Sequence, residues 1–153
     1  MIQRIQSVYL FLTVVFTALL FFMPVAYLTI PEAPTYEFYT TQVIQSGTPK
    51  VFIACNWMSM VLNIVITLLS AVIIFLYKKR FLQLRLCVVN IILLIGLLIL
   101  MWLQIARLTD ELHAVRQWGF SFGFPLIGVI LNWLAIRGII KDIALLKSYD
   151  RIR

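Results

Sequence analysis

Four long stretches of the chain contain no charged residue, and this feature limits the possible folds more than any other. The stretches cover residues 8–28, 51–77, 86–106 and 118–136. A helix that crosses the hydrocarbon core of a bilayer needs about 20 consecutive, mostly apolar residues. We therefore predict an all-α membrane protein, a single domain over residues 1–153 that forms a four-helix transmembrane bundle. Its spans are expected at residues 5–28, 51–77, 85–107 and 118–138.

The composition agrees with a lipid environment. The chain is 63% hydrophobic and only 12% charged, whereas soluble domains are about 25% charged. The net charge of +7 does not indicate nucleic-acid binding, because the basic residues form short clusters beside apolar runs instead of a stripe with aromatic partners. We expect the apolar surface of the protein to contact the lipid bilayer, and we predict no nucleic-acid partner.

The distribution of lysine and arginine predicts the orientation of the spans. Three of the 13 basic residues, Lys50, Arg107 and Arg116, lie in the segments that follow the first and third spans. The other ten lie on the opposite side: Arg4, Lys78, Lys79, Arg80, Arg85, Arg137, Lys141, Lys147, Arg151 and Arg153. Cytoplasmic loops are enriched in Lys and Arg, so we predict that both termini are cytoplasmic.

The outside loop at residues 29–50 is the longest hydrophilic segment. Two proline residues, Pro31 and Pro34, flank a turn signal, and aromatic and β-branched residues lie on both sides of it at residues 27–30 and 36–44. This pattern predicts a small extracytoplasmic β-hairpin between helices 1 and 2. An irregular loop with interfacial tyrosines is the alternative.

The last segment, residues 139–153, has apolar residues at helical spacing with basic residues between them. This predicts a cytoplasmic amphipathic tail that lies on the membrane surface, near anionic lipid headgroups, or binds a partner. The candidate interaction residues are Lys141, Asp142, Lys147, Asp150, Arg151 and Arg153.

Polar residues in the second span recur every three or four positions. They are Asn56, Ser59, Asn63, Thr67 and Ser70. On a helix they form one stripe, which must face the protein interior, a cavity or a partner instead of lipid. Hydrogen bonding between helices is the simpler interpretation. A lining for a small polar or amphipathic ligand is the alternative.

The fourth span carries small residues that allow helices to approach closely. Gly119 and Gly123 form a small-xxx-small pair, and Gly128, Asn132 and Ala135 follow on a nearby face. We predict a helix-packing face within the chain, with homodimerisation or partner docking as alternatives.

We predict no catalytic, cofactor-binding or metal site. His113 lies near Asp110, Glu111 and Arg116, but it is the only histidine in the chain, and a solvated loop is the simpler interpretation. The central parts of the four spans carry no charged residue or histidine, whereas proton- and ion-coupled transporters generally need them. The sequence thus favours a protein that is not an enzyme.

The two ends of the chain have distinctive sequences at residues 1–10 (MIQRIQSVYL), 135–142 (AIRGIIKD) and 147–153 (KSYDRIR). In these segments the chain resembles an uncharacterised family of small four-span inner-membrane proteins from the Bacteroidota. The resemblance implies a location in the bacterial inner membrane and four spans, but no activity.

Together these features favour an accessory, assembly or interaction subunit of the inner membrane. Its expected partner is another membrane protein or a second copy of the chain. The alternative is a small transporter or a membrane module that binds lipid or a small molecule through the stripe of the second span.

Overall fold

The computed structural model describes residues 2–30, 34–46, 51–76 and 79–150. Most of these residues are helical. The helices are α1 (Ile2–Leu19), α2 (Trp57–Phe75), α3 (Arg80–Leu112) and α4 (Phe124–Asp150), and a short 3₁₀ helix at Phe120–Gly123 precedes α4. Helix α1 packs against α2 and α4, and α3 packs against the same two helices. We call the packed helices α1 to α4 the helical part of the molecule.

Five short strands form one antiparallel sheet. They are β1 (Ala26–Thr29), β2 (Tyr36–Phe38), β3 (Gln42–Gln45), β4 (Val51–Cys55) and β5 (Val115–Trp118). Their order is β4-β3-β2-β1-β5, so β4 and β5 are the edge strands. The sheet lies where α1 and α3 end and where α2 and α4 begin. We call this the sheet end, and the opposite end, near Arg80, the far end.

The sheet corrects the all-α prediction. The predicted hairpin is present as β1 and β2, paired through Ala26 with Phe38 and Leu28 with Tyr36. However, β3, β4 and β5 extend it, and β5 pairs with β1 from about 90 residues away along the chain, as between Tyr27 and Gln117. The hairpin is therefore one part of a sheet that joins both connections at this end.

The observed helix ends differ from the predicted spans. Helix α1 ends at Leu19 and not near residue 28, because residues 26–29 pair as β1. Helix α2 begins at Trp57 and not at residue 51, because residues 51–55 pair with β3. Helix α3 is longer than the third predicted span. It ends at Leu112, and the next residue, His113, has a left-handed backbone with a φ of 48°. Residues 115–118 are strand β5 instead of the start of the fourth helix.

Apolar side chains cover the outside of the helical part. Phe11 of α1, Leu68 of α2 and Ile92 of α3 are 59%, 62% and 63% exposed. Polar side chains lie inside, including Thr13, Asn63, Ser70, Asn90 and Asn132, which are fully buried. Lipid, unlike water, solvates apolar side chains, so this distribution is typical of a membrane protein.

Three helical segments in the described residues are long and apolar enough to cross a membrane. They are Trp57–Phe75, Arg80–Leu112 and Phe120–Ala144. The apolar part of α1, Ile5–Leu19, is shorter. The helical, membrane-type character of the chain is thus confirmed for three helices.

The inner face of the sheet packs on the helices. Leu28 of β1, Phe38 of β2 and Val43 of β3 are buried in one cluster with Leu97 and Met101 of α3. A second apolar cluster lies nearer the far end and includes Leu10, Ile73, Cys87, Ala135 and Ile139. The sheet and the helices therefore share a core.

Candidate functional site

The polar stripe of α2 faces the interior of the helical part. Ser59, Asn63 and Ser70 are buried, and Thr67 is half-buried. Asn56 lies just before the helix, and its Nδ2 donates to the backbone oxygen of Tyr39 at 2.9 Å. The stripe thus begins against the sheet and continues between the helices.

Each buried residue of the stripe is hydrogen-bonded to a neighbouring helix. The hydroxyl of Ser59 donates to Oε1 of Gln104 on α3. Asn63 Nδ2 donates to the backbone oxygen of Thr17 on α1 at 3.1 Å. Thr67 differs, because its hydroxyl donates to the backbone oxygen of Asn63 in its own helix at 2.8 Å. The Ser59 and Asn63 bonds therefore connect α2 to α3 and to α1.

Four side chains, one from each helix, form a buried polar network. Asn90 Nδ2 of α3 donates to Ser70 Oγ of α2 at 2.9 Å and to Asn132 Oδ1 of α4 at 3.1 Å. Asn132 Nδ2 donates to Thr13 Oγ1 of α1 at 3.3 Å and to the backbone oxygen of Gly128 at 2.9 Å. All four side chains are fully buried. We call Thr13, Ser70, Asn90 and Asn132 the central network.

Two carbonyl oxygens in this region are buried without a donor. They are Oδ1 of Asn63 and Oδ1 of Asn90, and neither has a hydrogen-bond partner among the described residues. A buried acceptor of this kind costs free energy when it is left unpaired. It is also a point where a ligand with a hydrogen-bond donor could bind.

The predicted packing face of the fourth span divides into two parts. Gly119 and Gly123 lie outside the α-helix, so they do not form a helix-packing pair. A Cβ on Gly119 would lie 2.7 Å from the backbone oxygen of Pro24, whereas a Cβ on Gly123 would meet nothing within 4 Å. On α4, a Cβ on Gly128 would contact Leu94 at 3.3 Å, and Asn132 and Ala135 are buried. These three residues face the other helices.

The described part of the predicted tail, residues 139–150, is continuous with α4. Asp142 is buried and accepts a hydrogen bond from Gln6 Nε2 of α1 at 2.9 Å, and it lies 3.9 Å from Nη1 of Arg80 on α3. Lys141 is exposed. Arg151 and Arg153 lie outside the described residues, as do the side chains of Lys147 and Asp150. Asp142 therefore joins three helices at the far end.

The sheet end carries a second group of polar and aromatic residues. A cavity of about 540 Å³ is lined by Trp102, Ala106, Thr109, Asp110, Arg116 and Trp118. The Arg116 guanidinium lies 4.4 Å from the centroid of the Trp118 ring. His113 is exposed, and within the described ranges no three His, Cys, Asp or Glu side chains are grouped to hold a metal ion.

In the sheet, Glu37 binds two hydroxyl groups. The Tyr39 hydroxyl donates to Glu37 Oε2 at 3.0 Å, and the Ser46 hydroxyl donates to Oε1 at 2.7 Å. Burial, followed by the hydrogen bond to the Glu37 carboxylate and its negative charge, raises the pKa of the Tyr39 phenol above its ordinary value of 10.0.

Several residues of these networks did not stand out in the sequence. Asn90 and Gln104 of α3 and Thr13 and Thr17 of α1 do not form a long polar stripe. The feature of the sequence that indicates them is a single amide in a long apolar run. An unpaired amide is costly in lipid, so such a residue is expected to face a hydrogen-bond partner inside the protein. Gln83 is a further case, because it is buried and its Nε2 donates to the backbone oxygen of Ile73 at 3.3 Å.

Comparison with known proteins agrees with the resemblance in the two ends. A search of curated proteins finds no match to the chain. The family model for a domain of unknown function, DUF4293, matches residues 2–152. The match covers nearly the whole chain, so the prediction of an uncharacterised family is confirmed. The protein belongs to the DUF4293 family.

Proposed function

We propose that the chain is a four-span protein of a bacterial inner membrane with both termini in the cytoplasm. In this proposal α1 crosses the membrane as the first span, in addition to the three helical segments that are long and apolar enough to do so. Its 18 residues extend about 27 Å at 1.5 Å per residue, close to the hydrocarbon thickness of about 30 Å. Hydrogen-bonded turns continue it to Met23, and its outward residues Val8 and Phe11 are apolar and exposed. The basic residues at the far end support a cytoplasmic far end.

Within this membrane we propose a non-enzymatic accessory or assembly role. Several buried amides and hydroxyls of the helices bond to groups on neighbouring helices, as Asn90 does to Ser70 and Asn132. Asn63 likewise donates to the backbone oxygen of Thr17. Such bonds fix the relative positions of helices. A rigid bundle of this kind can hold the sheet in a constant position for a partner.

The edge strand β4 is the observation that carries the proposal. Its alternate residues Val51, Ile53 and Cys55 share one side of the strand and are exposed, Val51 and Ile53 by 48% and 45%. An edge strand also presents backbone groups that can pair with an added strand. The proposed partner is a membrane protein that contributes an extended segment to this edge.

The test is gentle detergent extraction of the tagged chain, followed by analysis of the mass and composition of the extracted complex. We expect a partner protein to co-purify with the wild-type chain in a fixed ratio. This protein should be absent from the Ile53→Lys variant, because a lysine at this position opposes apolar docking and strand addition. The matched control is Val115→Lys on the opposite edge strand β5, where Val115 is 60% exposed. The partner protein should remain with that variant.

If the partner protein still co-purifies with the Ile53→Lys variant, its contact with the chain is not at β4. A wild-type chain that extracts alone would contradict the accessory role. Deletion of residues 145–153 tests the tail separately, because it keeps Asp142 with its bonds to α1 and α3. If the tail contributes to partner binding, this deletion should weaken the complex and leave membrane insertion intact.

The second candidate is a small transporter or a ligand-binding membrane module. The observation that favours it is the pair of buried acceptors, Asn63 Oδ1 and Asn90 Oδ1. In that case Asn63→Leu should abolish activity while complexes survive. The accessory proposal expects that Asn63→Leu retains the partner protein and the cellular function as long as the bundle still folds.

A further inference from the structure

A groove runs between α1 and α4 at the far end. Its volume is about 530 Å³, within the range of about 300–1,000 Å³ that ligand sites occupy. One part of the lining is apolar and the other is cationic. The apolar part includes Ile5, Tyr9 and Leu134, and the cationic part is Arg137 and Lys141.

Contacts between α1 and α4 hold the two sides of the groove together. Gln6 is buried and donates to Asp142 at 2.9 Å. A Cβ on Gly138 would lie 2.8 Å from Cγ of Gln6, so the glycine allows α1 and α4 to approach at this level. Asp142 is 3.9 Å from Arg80 of α3, and its negative charge is thus compensated from another helix.

The cations lie in one row along α4. Trp133, Arg137 and Lys141 are spaced by four residues and share a helix face. The Arg137 guanidinium lies 4.0 Å from the centroid of the Trp133 ring, an attractive cation–π geometry that orients it. Trp133 and Lys141 are exposed. Tryptophan and basic side chains near the end of a span are typical of the membrane–water interface.

We propose that this groove is a binding site for one anionic phospholipid. Its phosphate contacts Arg137 and Lys141, and an acyl chain lies along Ile5, Tyr9 and Leu134. The two positive charges select an anionic headgroup. The apolar wall requires a hydrophobic chain on the ligand, which distinguishes a lipid from free phosphate. The inference rests on the proposed insertion of α1 and α4, and it adds a defined ligand to the accessory role.

The test uses the full chain purified from membranes in detergent and titrated with phosphatidylglycerol, with bound lipid measured by native mass spectrometry. At about 1 kcal/mol per basic residue near a membrane surface, we expect Arg137→Gln/Lys141→Gln to weaken binding about thirty-fold. The matched control is Lys79→Gln/Arg85→Gln, which removes the same charge from exposed positions at the far end outside the groove. The control should retain wild-type binding.

Equal losses in the two double variants would overturn the site, because they would indicate diffuse attraction. Unchanged binding in Arg137→Gln/Lys141→Gln would overturn it as well. Inorganic phosphate, titrated in the same way, should not displace the lipid, and displacement would contradict the role of the acyl chain. Recovery of the chain in the membrane fraction is measured first and tests insertion alone, so a failure of insertion is distinguishable from a failure of the lipid site.

Discussion

The side chain of Asn132 connects three helices in the described part of the molecule. It accepts from Asn90 of α3 and donates to Thr13 of α1 and to the Gly128 backbone oxygen in its own helix. Interhelical hydrogen bonds in a membrane contribute about 0.6 kcal/mol each on average. Several bonds at one residue therefore contribute to stability and also fix which helix faces meet.

Replacement of Asn132 should measurably destabilise the protein. We expect Asn132→Leu to lower the free energy of unfolding by about 1–2 kcal/mol, since two interhelical bonds are lost and Asn90 loses an acceptor. Equilibrium unfolding in detergent provides the measurement. The control is Thr67→Val, because the Thr67 bond lies within α2, and it should change stability by less than about 0.5 kcal/mol. Equal effects would contradict the network's role.

Tyr39 should ionise above the ordinary pH range of a tyrosine. Its pKa is raised above 10.0 by burial and by Glu37, so the stability that this shift contributes is complete below pH 10 and is lost as the pH rises through the folded pKa. Ultraviolet titration of phenolate, with Tyr39→Phe as the reference, measures it. Glu37→Gln should lower the pKa while burial keeps it raised. A Tyr39 titration unaffected by Glu37→Gln would contradict this interaction.

At the residue scale, sequence reasoning located the stripe but not its partners. The three- and four-residue spacing of Ser59, Asn63 and Ser70 predicts an inward face because lipid excludes such a stripe. Their partners Gln104 and Thr17 are about 45 residues away along the chain. Local periodicity carries no information on which residues form those pairs. For the same reason it does not identify Asn90, the partner of Ser70 on α3.

For strands and helices too, local sequence patterns do not show which distant segments pair. Residues 26–29 and 51–55 lie in apolar runs that periodicity cannot assign to a strand or a helix end. What makes β1 a strand is its pairing with both β2 and β5. The hairpin was predictable because its turn and strands are close in sequence, whereas the five-stranded sheet depends on contacts between distant segments.

Two glycines near the start of α4 should respond differently to the same substitution. Gly119→Ala should lower the free energy of unfolding by about 1–3 kcal/mol, as overpacking does, because its Cβ would lie 2.7 Å from the rigid backbone oxygen of Pro24. Gly123→Ala meets open space and should be close to neutral. Unfolding midpoints of the two variants provide the comparison, and a larger loss for Gly123→Ala would contradict this packing.

On the scale of the whole molecule, polar side chains lie inside and apolar side chains outside. The exposed apolar residues of α1 to α4 cover the helical part, whereas the sheet packs on one end of it. The composition and the long uncharged runs predicted this class of protein, and membership of the DUF4293 family agrees with the resemblance of the two ends. The orientation in the membrane follows from charge alone and stays a prediction.

Cysteine labelling in intact cells tests the proposed orientation most directly. Val115 is exposed on the edge strand β5 at the sheet end, away from the proposed partner edge β4. In a chain with Cys55→Ser and Cys87→Ala, which removes both native cysteines, a membrane-impermeant maleimide should label a cysteine introduced by Val115→Cys from the periplasm. A cysteine introduced by Lys79→Cys at the far end of the same chain should be labelled only after the inner membrane is opened. Labelling of position 79, but not of position 115, in intact cells would contradict a bundle with its sheet outside and both termini in the cytoplasm.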